Sequence, residues 1–273
     1  MIHATAIVDH AAQIGTDVRI GPYAVVEAGA TLGDGCELEA HAVVKRGVEL
    51  GSGCFVGHFA AIGGDPQKSG FEHSLATGVS VGTGAVIRES VTVHRSAFEG
   101  KATMVGEKAL LMVGCHVGHD CVVGNEVTIA NAALLAGHVA LGDHVFVGGG
   151  AVFHQFVRVG ESAMVGGAAV VSLDVPPFVT MAERNLACGP NLVGLRRRGF
   201  SKEVIAEIRS LYRKVFMEGG NPRKAAEYAM ASVDEPMTEE GRRFLEFFTE
   251  GERGFVRSRS REGKVGTETG SDL

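Results

Sequence analysis

Five of the eleven histidines fall between residues 116 and 154. An imidazole titrates nearest neutrality of all side chains and is the commonest metal ligand, so gathered histidines suit proton transfer or metal binding. His119 directly precedes Asp120, and a carboxylate beside an imidazole orients the ring and stabilises its protonated form. His119, His138 and His154 are distant in the chain. The elements that carry them decide whether they meet.

Those elements announce themselves by a six-residue period. A branched or long apolar residue stands at Val105, Leu111, Val117, Val123, Ile129, Leu135, Leu141, Val147, Phe153, Val159, Val165 and Val171, and an earlier run from Ile2 to Ile62 does the same. This period fits neither a helix nor a lone strand and marks a parallel β-helix. Three hexads make one triangular coil of about eighteen residues, and each coil rises about 4.8 Å, the spacing of paired strands. His119, His138 and His154 sit in the hexads of Val117, Leu135 and Phe153. They are expected to climb one prism edge within roughly 10 Å. Glycine often follows the apolar residue, as at Gly15, Gly33, Gly106, Gly118 and Gly142, and is expected at corners that need positive φ. Cys36, Cys54, Cys115 and Cys121 fall in the small inward slot, as free thiols suited to a reducing cytoplasm. The period does not set the hand of the coil, and ordinary parallel crossovers are right-handed.

Between Ile62 and Val81 the register slips by one residue, so an excursion is expected near 64–78. A second is expected near 95–102, where Glu99 takes the apolar position. Long loops on a rigid repeat are usually functional. The β-helix should occupy 1–177, ending at Pro176-Pro177, because proline stops strand propagation. A connector and an α-helical domain should fill 178–257, with Ser201, Asn221 and Thr238 as N-caps, and a polar, disordered tail should follow at 258–273. The net charge of −6 argues against a general nucleic-acid binder. No run approaches membrane-spanning length, and no signal peptide is expected because the hexads start at residue 2.

The ordered set resembles one family. His116-Val117-Gly118-His119-Asp120-Cys121, Leu135-Ala136-Gly137-His138, His154-Gln155-Phe156, Asp174-Val175-Pro176-Pro177, Gly194 to Phe200, and Arg88 to Arg95 look like the acyl-ACP:UDP-N-acetylglucosamine O-acyltransferases that begin lipid A synthesis. The likeness covers about 1–257. It implies a left-handed coil and transfer of a β-hydroxyacyl chain from acyl carrier protein to the sugar 3-hydroxyl. It makes His119, beside Asp120, the general base and the Gly137 N–H the oxyanion donor, with no metal and no cofactor. His94, His116, His138 and His154 would hold substrate and the proton network. Gln155, Asn191, Arg197 and Arg198 match nucleotide-binding positions, and Gly167 matches a stop for the acyl chain. For Gly167 a groove along the catalytic edge is expected, since a hydrocarbon needs an apolar wall.

Two segments depart from the family pattern: Lys68 stands where an acid is expected and Gly70 near a sugar-contacting lysine, and Arg184 or Asn185 replaces a usual histidine. A 3-amino sugar acceptor is therefore a second reading. Others are the related N-acyltransferase, a carbonic-anhydrase-like metalloenzyme and a non-catalytic solenoid. Because a thin prism has no deep pocket and enzyme sites are concave, a homotrimer with sites between chains is expected. Arg253, Arg257, Arg259 and Arg261 offer charge for an acidic carrier protein.

Overall fold

The computed structural model describes residues 1–218, 220–231 and 237–258. Short strands recur once per face and stack into three sheets of nine, eight and eleven strands, parallel but for one antiparallel pair at the end of the third. The first face includes His116–Val117, Leu134–Leu135 and Val152–Phe153, the second Val122–Val123 and Ala140–Leu141, and the third Thr128–Ile129, Phe146–Val147 and Met164–Val165. The chain passes from first to second to third face and back, one coil higher. It is a left-handed parallel β-helix. Strands pair with those one coil away, mostly in unshifted register, as Val117 with Leu135 and Leu135 with Phe153; the register shifts between Ile62 and Gly64 where they pair with Val93 and His94. The key apolar residues from Ile20 to Val171 are buried inside the prism, and so are Cys36, Cys54, Cys115 and Cys121. At the open first coil Ile2 stays half exposed, at 51 %.

The glycine after the apolar residue has a different cause from the one expected. Positive φ falls three residues past the apolar position instead, as at Asp120 (61°), Ala132 (56°) and His138 (63°). The glycine is needed for space. A Cβ on Gly118 would stand 2.8 Å from the backbone of the next coil, and one on Gly33 2.6 Å. Coils one strand spacing apart leave no room for a methyl group there.

The prolines do not end the sheet. Val179–Ala182 pairs in parallel with Met164–Val165, Leu186–Pro190 turns back antiparallel, and Arg257–Ser258 adds beside it. Pro176 and Pro177 fall in the turn between strands, where no ladder N–H is needed. A short helix, α1 (Leu192–Arg197), holds part of the basic run. Then come α2 (Lys202–Phe216), α3 (Pro222–Ala231) and α4 (Glu239–Glu246). Ser201 and Thr238 accept from the Val204 and Gly241 N–H groups as N-caps. Ile208, Leu211, Phe244, Leu245 and Phe248 pack the helices together. Arg257 and Ser258, expected at the domain's end and in the tail, form a strand. The rest of the expected tail, with Arg259 and Arg261, lies outside the described residues.

Candidate active site

Each turn from first to second face makes a corner, and His119-Asp120, Gly137-His138 and Gln155-Phe156 stack there in successive coils. The strands on either side fix the height of each side chain. His119 Nδ1 lies 2.7 Å from Asp120 Oδ2, with the two side chains 19 % and 10 % exposed. Asp120 is held in turn. Its backbone N–H donates to Thr103 Oγ1 at 2.8 Å, the Ser96 hydroxyl donates to Oδ1, and the Ala97 N–H donates to Oδ2 at 3.2 Å. Burial alone would raise the Asp120 carboxyl. The bonds from Ser96, His119 and Ala97 and the nearby His138 outweigh it and hold the group below the usual carboxylate range. An ionised Asp120 accepts from Nδ1–H, which leaves Nε2 of His119 as the free lone pair.

Gly137 lies against that nitrogen. A Cβ built on it would come within 2.7 Å of both Cε1 and Nε2 of His119. The glycine is therefore what makes room for the imidazole. The Gly137 N–H has no acceptor among the described residues.

Three more imidazoles surround the dyad. His138 meets His119 edge-on with centroids 5.1 Å apart, and stacks on Phe156 at 4.4 Å. His94 meets His116 edge-on at 4.8 Å, and His116 Nδ1 lies 2.8 Å from Thr92 Oγ1. Burial pushes all three down; His116 and His119 add to it at His94, His119 at His116, and His119 and Lys68 at His138, where Asp120 pulls the other way. His94 falls to about 4, and its Nδ1 is buried without a partner among the described residues. Of the four rings only His119 lies at hydrogen-bond distance from a carboxylate, that of Asp120.

His154 is on the same corner one coil on, as expected, but its Nδ1 takes a bond from Arg253 at 2.6 Å. Asn191 caps α1, accepting from the Gly194 N–H and donating to the Ser162 carbonyl at 3.0 Å. Arg198 donates to the Ser162 hydroxyl and lies over Phe200. Arg197 is exposed at the end of α1. Ser162 stands at the second-to-third corner, so this group is on a different edge from His119. Gly167 is on neither. It lies exposed at the third-to-first corner above Gly149, and the expectation of a groove along the His119 edge is corrected: 48 residues separate it from the register of His119, which is not a whole number of coils.

Ser96, Phe98 and Thr103 were not singled out from sequence for this site, and Lys68 was noted only as a departure from the family pattern. Lys68 Nζ sits 5.6 Å from the Phe98 ring, and Phe98 lies 5.9 Å from His138. Lys68, Ser96 and Phe98 come from the two excursions, where the period gives no position, and Thr103 from the strand Ala102–Val105 that follows the second. His119, Asp120 and His138 each offer one ligand atom within 4.8 Å of the others. That spacing would admit a cation, but Asp120 already takes three bonds and His119 Nδ1 one of them, so the donors are arranged to fix an imidazole.

Known proteins resemble this chain over nearly its whole length. Residues 174–256 match the family model for domain 2 of UDP-N-acetylglucosamine O-acyltransferase, and residues 11–46 match the bacterial hexapeptide transferase repeat. The chain is 44 % identical to the acyl-[acyl-carrier-protein]--UDP-N-acetylglucosamine O-acyltransferase of Paraburkholderia phymatum over 94 % of this chain and 99 % of that one. The chain belongs to this family. The enzyme of the same name from Halorhodospira halophila is 39 % identical at the same coverage. LpxA from Acinetobacter baumannii superposes with a TM-score of 0.89 at 35 % identity, covering 94 % of this chain and 99 % of that one. Among the described residues no helix is long and apolar enough to cross a membrane.

Proposed function

We propose that this O-acyltransferase moves a β-hydroxyacyl chain from acyl carrier protein to the 3-hydroxyl of UDP-N-acetylglucosamine, the opening step of lipid A synthesis, in the cytoplasm. The observation that carries the chemistry is the Nε2 of His119 beside the Gly137 N–H, neither with a hydrogen-bond partner among the described residues. His119 Nε2 takes the hydroxyl proton as that oxygen attacks the thioester carbon. The carbonyl oxygen gains the negative charge and takes the Gly137 N–H bond. As the tetrahedral intermediate collapses, the C–S bond breaks and the imidazolium returns its proton to the leaving thiolate. Asp120 keeps the tautomer and steadies the imidazolium. The reaction needs no covalent acyl-enzyme.

The three residue groups stand on three edges of one prism, so one chain does not gather them. The geometry favours a homotrimer in which a neighbour turns its third face towards the His119 corner, since Ser162 with Arg198 and Gly167 border that face. Arg197 and Arg198 then meet the diphosphate, for which guanidinium is suited by charge and fork geometry. Asn191 shapes this wall as the cap of α1, and Gln155, His138, His154, His94 and His116 line the other. Gly167 leaves the groove open for a long acyl chain. Arg253 and Arg257 offer charge to an acidic carrier.

The test is acyl transfer from β-hydroxyacyl carrier proteins to UDP-N-acetylglucosamine and its 3-amino analogue. Transfer to the 3-hydroxyl is expected, and His119→Ala is expected to lower kcat by about 10²–10⁴ with the unfolding temperature retained. Survival of activity within about tenfold removes His119 as the base, and transfer only to the analogue overturns the acceptor.

A further inference from the structure

Arg95 is the largest side chain buried completely, 1 % exposed. A buried charge is costly unless it is paired and fully hydrogen-bonded. Its guanidinium points out of the prism into the underside of the 65–77 loop. Nε donates to Asp65 Oδ1 at 2.8 Å, Nη1 to the Leu75 carbonyl at 2.8 Å and Thr77 Oγ1 at 3.0 Å, and Nη2 to the His73 carbonyl at 2.9 Å. Phe71 covers the group at 4.9 Å. The second oxygen of Asp65 lies 2.5 Å from His73 Nδ1. One guanidinium thus ends several polar groups of a loop that has no strand to satisfy them. The neighbours of Arg95 face the site: His94 meets His116, and the Ser96 hydroxyl donates to Asp120. At the far side of the loop Lys68 reaches Phe98 beside His138.

We propose that Arg95 is a positioning residue for acceptor binding: it clamps the 65–77 loop shut as a wall of the site, and a loosened loop binds the UDP-sugar poorly while the dyad stays intact. This rests on the acyltransfer reading, so the test carries a readout free of it. In the full chain, Arg95→Lys keeps the charge but loses the fork, Arg95→Ala removes both, and Asp65→Asn removes one partner. Trypsin should cut after Lys68 at least about tenfold faster in Arg95→Ala than in the native chain, the size expected from losing charged hydrogen bonds. KM for UDP-N-acetylglucosamine should rise by about tenfold or more with kcat and its pH profile little changed. Arg95→Lys and Asp65→Asn should fall between, and millimolar guanidinium should lower KM of Arg95→Ala. Loop cleavage that stays at the native rate overturns the clamp. Faster cleavage with KM unchanged overturns the loop as an acceptor wall, and a fall in kcat alone would place Arg95 behind Ser96 and Asp120 instead. Absence of acyl transfer in the native chain would fail the acyltransfer reading, while the cleavage rates still decide the clamp.

Discussion

The four imidazoles around Asp120 have unequal jobs because their surroundings differ. His119 has a carboxylate at hydrogen-bond distance, whereas His138 lies 3.9 Å from the same oxygen and His94 has a buried nitrogen with no partner among the described residues. Burial, then the charges of His116 and His119, takes His94 from 6.5 to about 4. Between those values the unfolded chain holds a proton that the folded chain lacks, so stability rises with pH there. The contribution of neutral His94 is whole above 6.5 and is lost as pH falls towards 4. Asp65 and Asp120, held low against burial that would raise them, keep their contribution until pH drops below 3.8. The unfolding midpoint in denaturant should therefore fall from pH 6.5 to 4, and His94→Phe should flatten that fall. An equal slope in the variant would remove His94 as its source. The His119-Asp120 pair was legible in sequence because its members are adjacent. Ser96 and Thr103 were not, since the second excursion gives its coil an extra hexad, Val93 pairing with Val117 24 residues on, so counting three hexads per coil does not bring them to Asp120.

The hexad is the element that does most of the positioning, and it was legible because each coil repeats the same inward slot. What the period could not supply was the reason for each glycine. Gly118 and Gly137 occupy neighbouring coils near one corner and answer to different neighbours. A Cβ on Gly118 meets the backbone at Ala136, 2.8 Å away, whereas one on Gly137 meets the His119 ring at 2.7 Å. A backbone cannot yield cheaply, but a ring can turn. Gly118→Ala should thus lower the unfolding temperature by several degrees, about 1–3 kcal/mol of overpacking. Gly137→Ala should keep that temperature and lower kcat by about 10²-fold, because a base moved by a fraction of its length loses its alignment. Rates and melts on both variants check the pair, and the same outcome in both would dissolve the distinction. Beyond Pro177 sequence patterning was less informative. Val179–Ala182 and Leu186–Pro190 carry no hexad, and their pairing with Met164–Val165 is set by tertiary contact.

At the scale of the whole molecule, a rigid prism cannot bend to bring its edges together. His119, Arg198 and Gly167 are fixed on three of them, so a site that needs all three has to be shared between chains. A head-to-tail ring of three closes such contacts, each chain giving one surface and receiving another. This predicts rescue between two inactive chains. His119→Ala keeps its arginines, and the Arg197→Ala/Arg198→Ala double variant keeps its base. Each alone should be nearly inactive. Unfolded together in equal amounts and reassembled, they form random mixed rings. A shared site is whole when the double variant supplies the base and its neighbour, the His119→Ala chain, supplies the arginines. Random mixing meets that condition at about one site in four, so activity should return to about a quarter of the native level. If the site were confined to one chain, every site would keep a defect and mixing would restore nothing. Activity that stays at the level of the separate variants, with size measurements showing mixed assemblies, would place the arginines and the base in the same chain and end the shared-site reading.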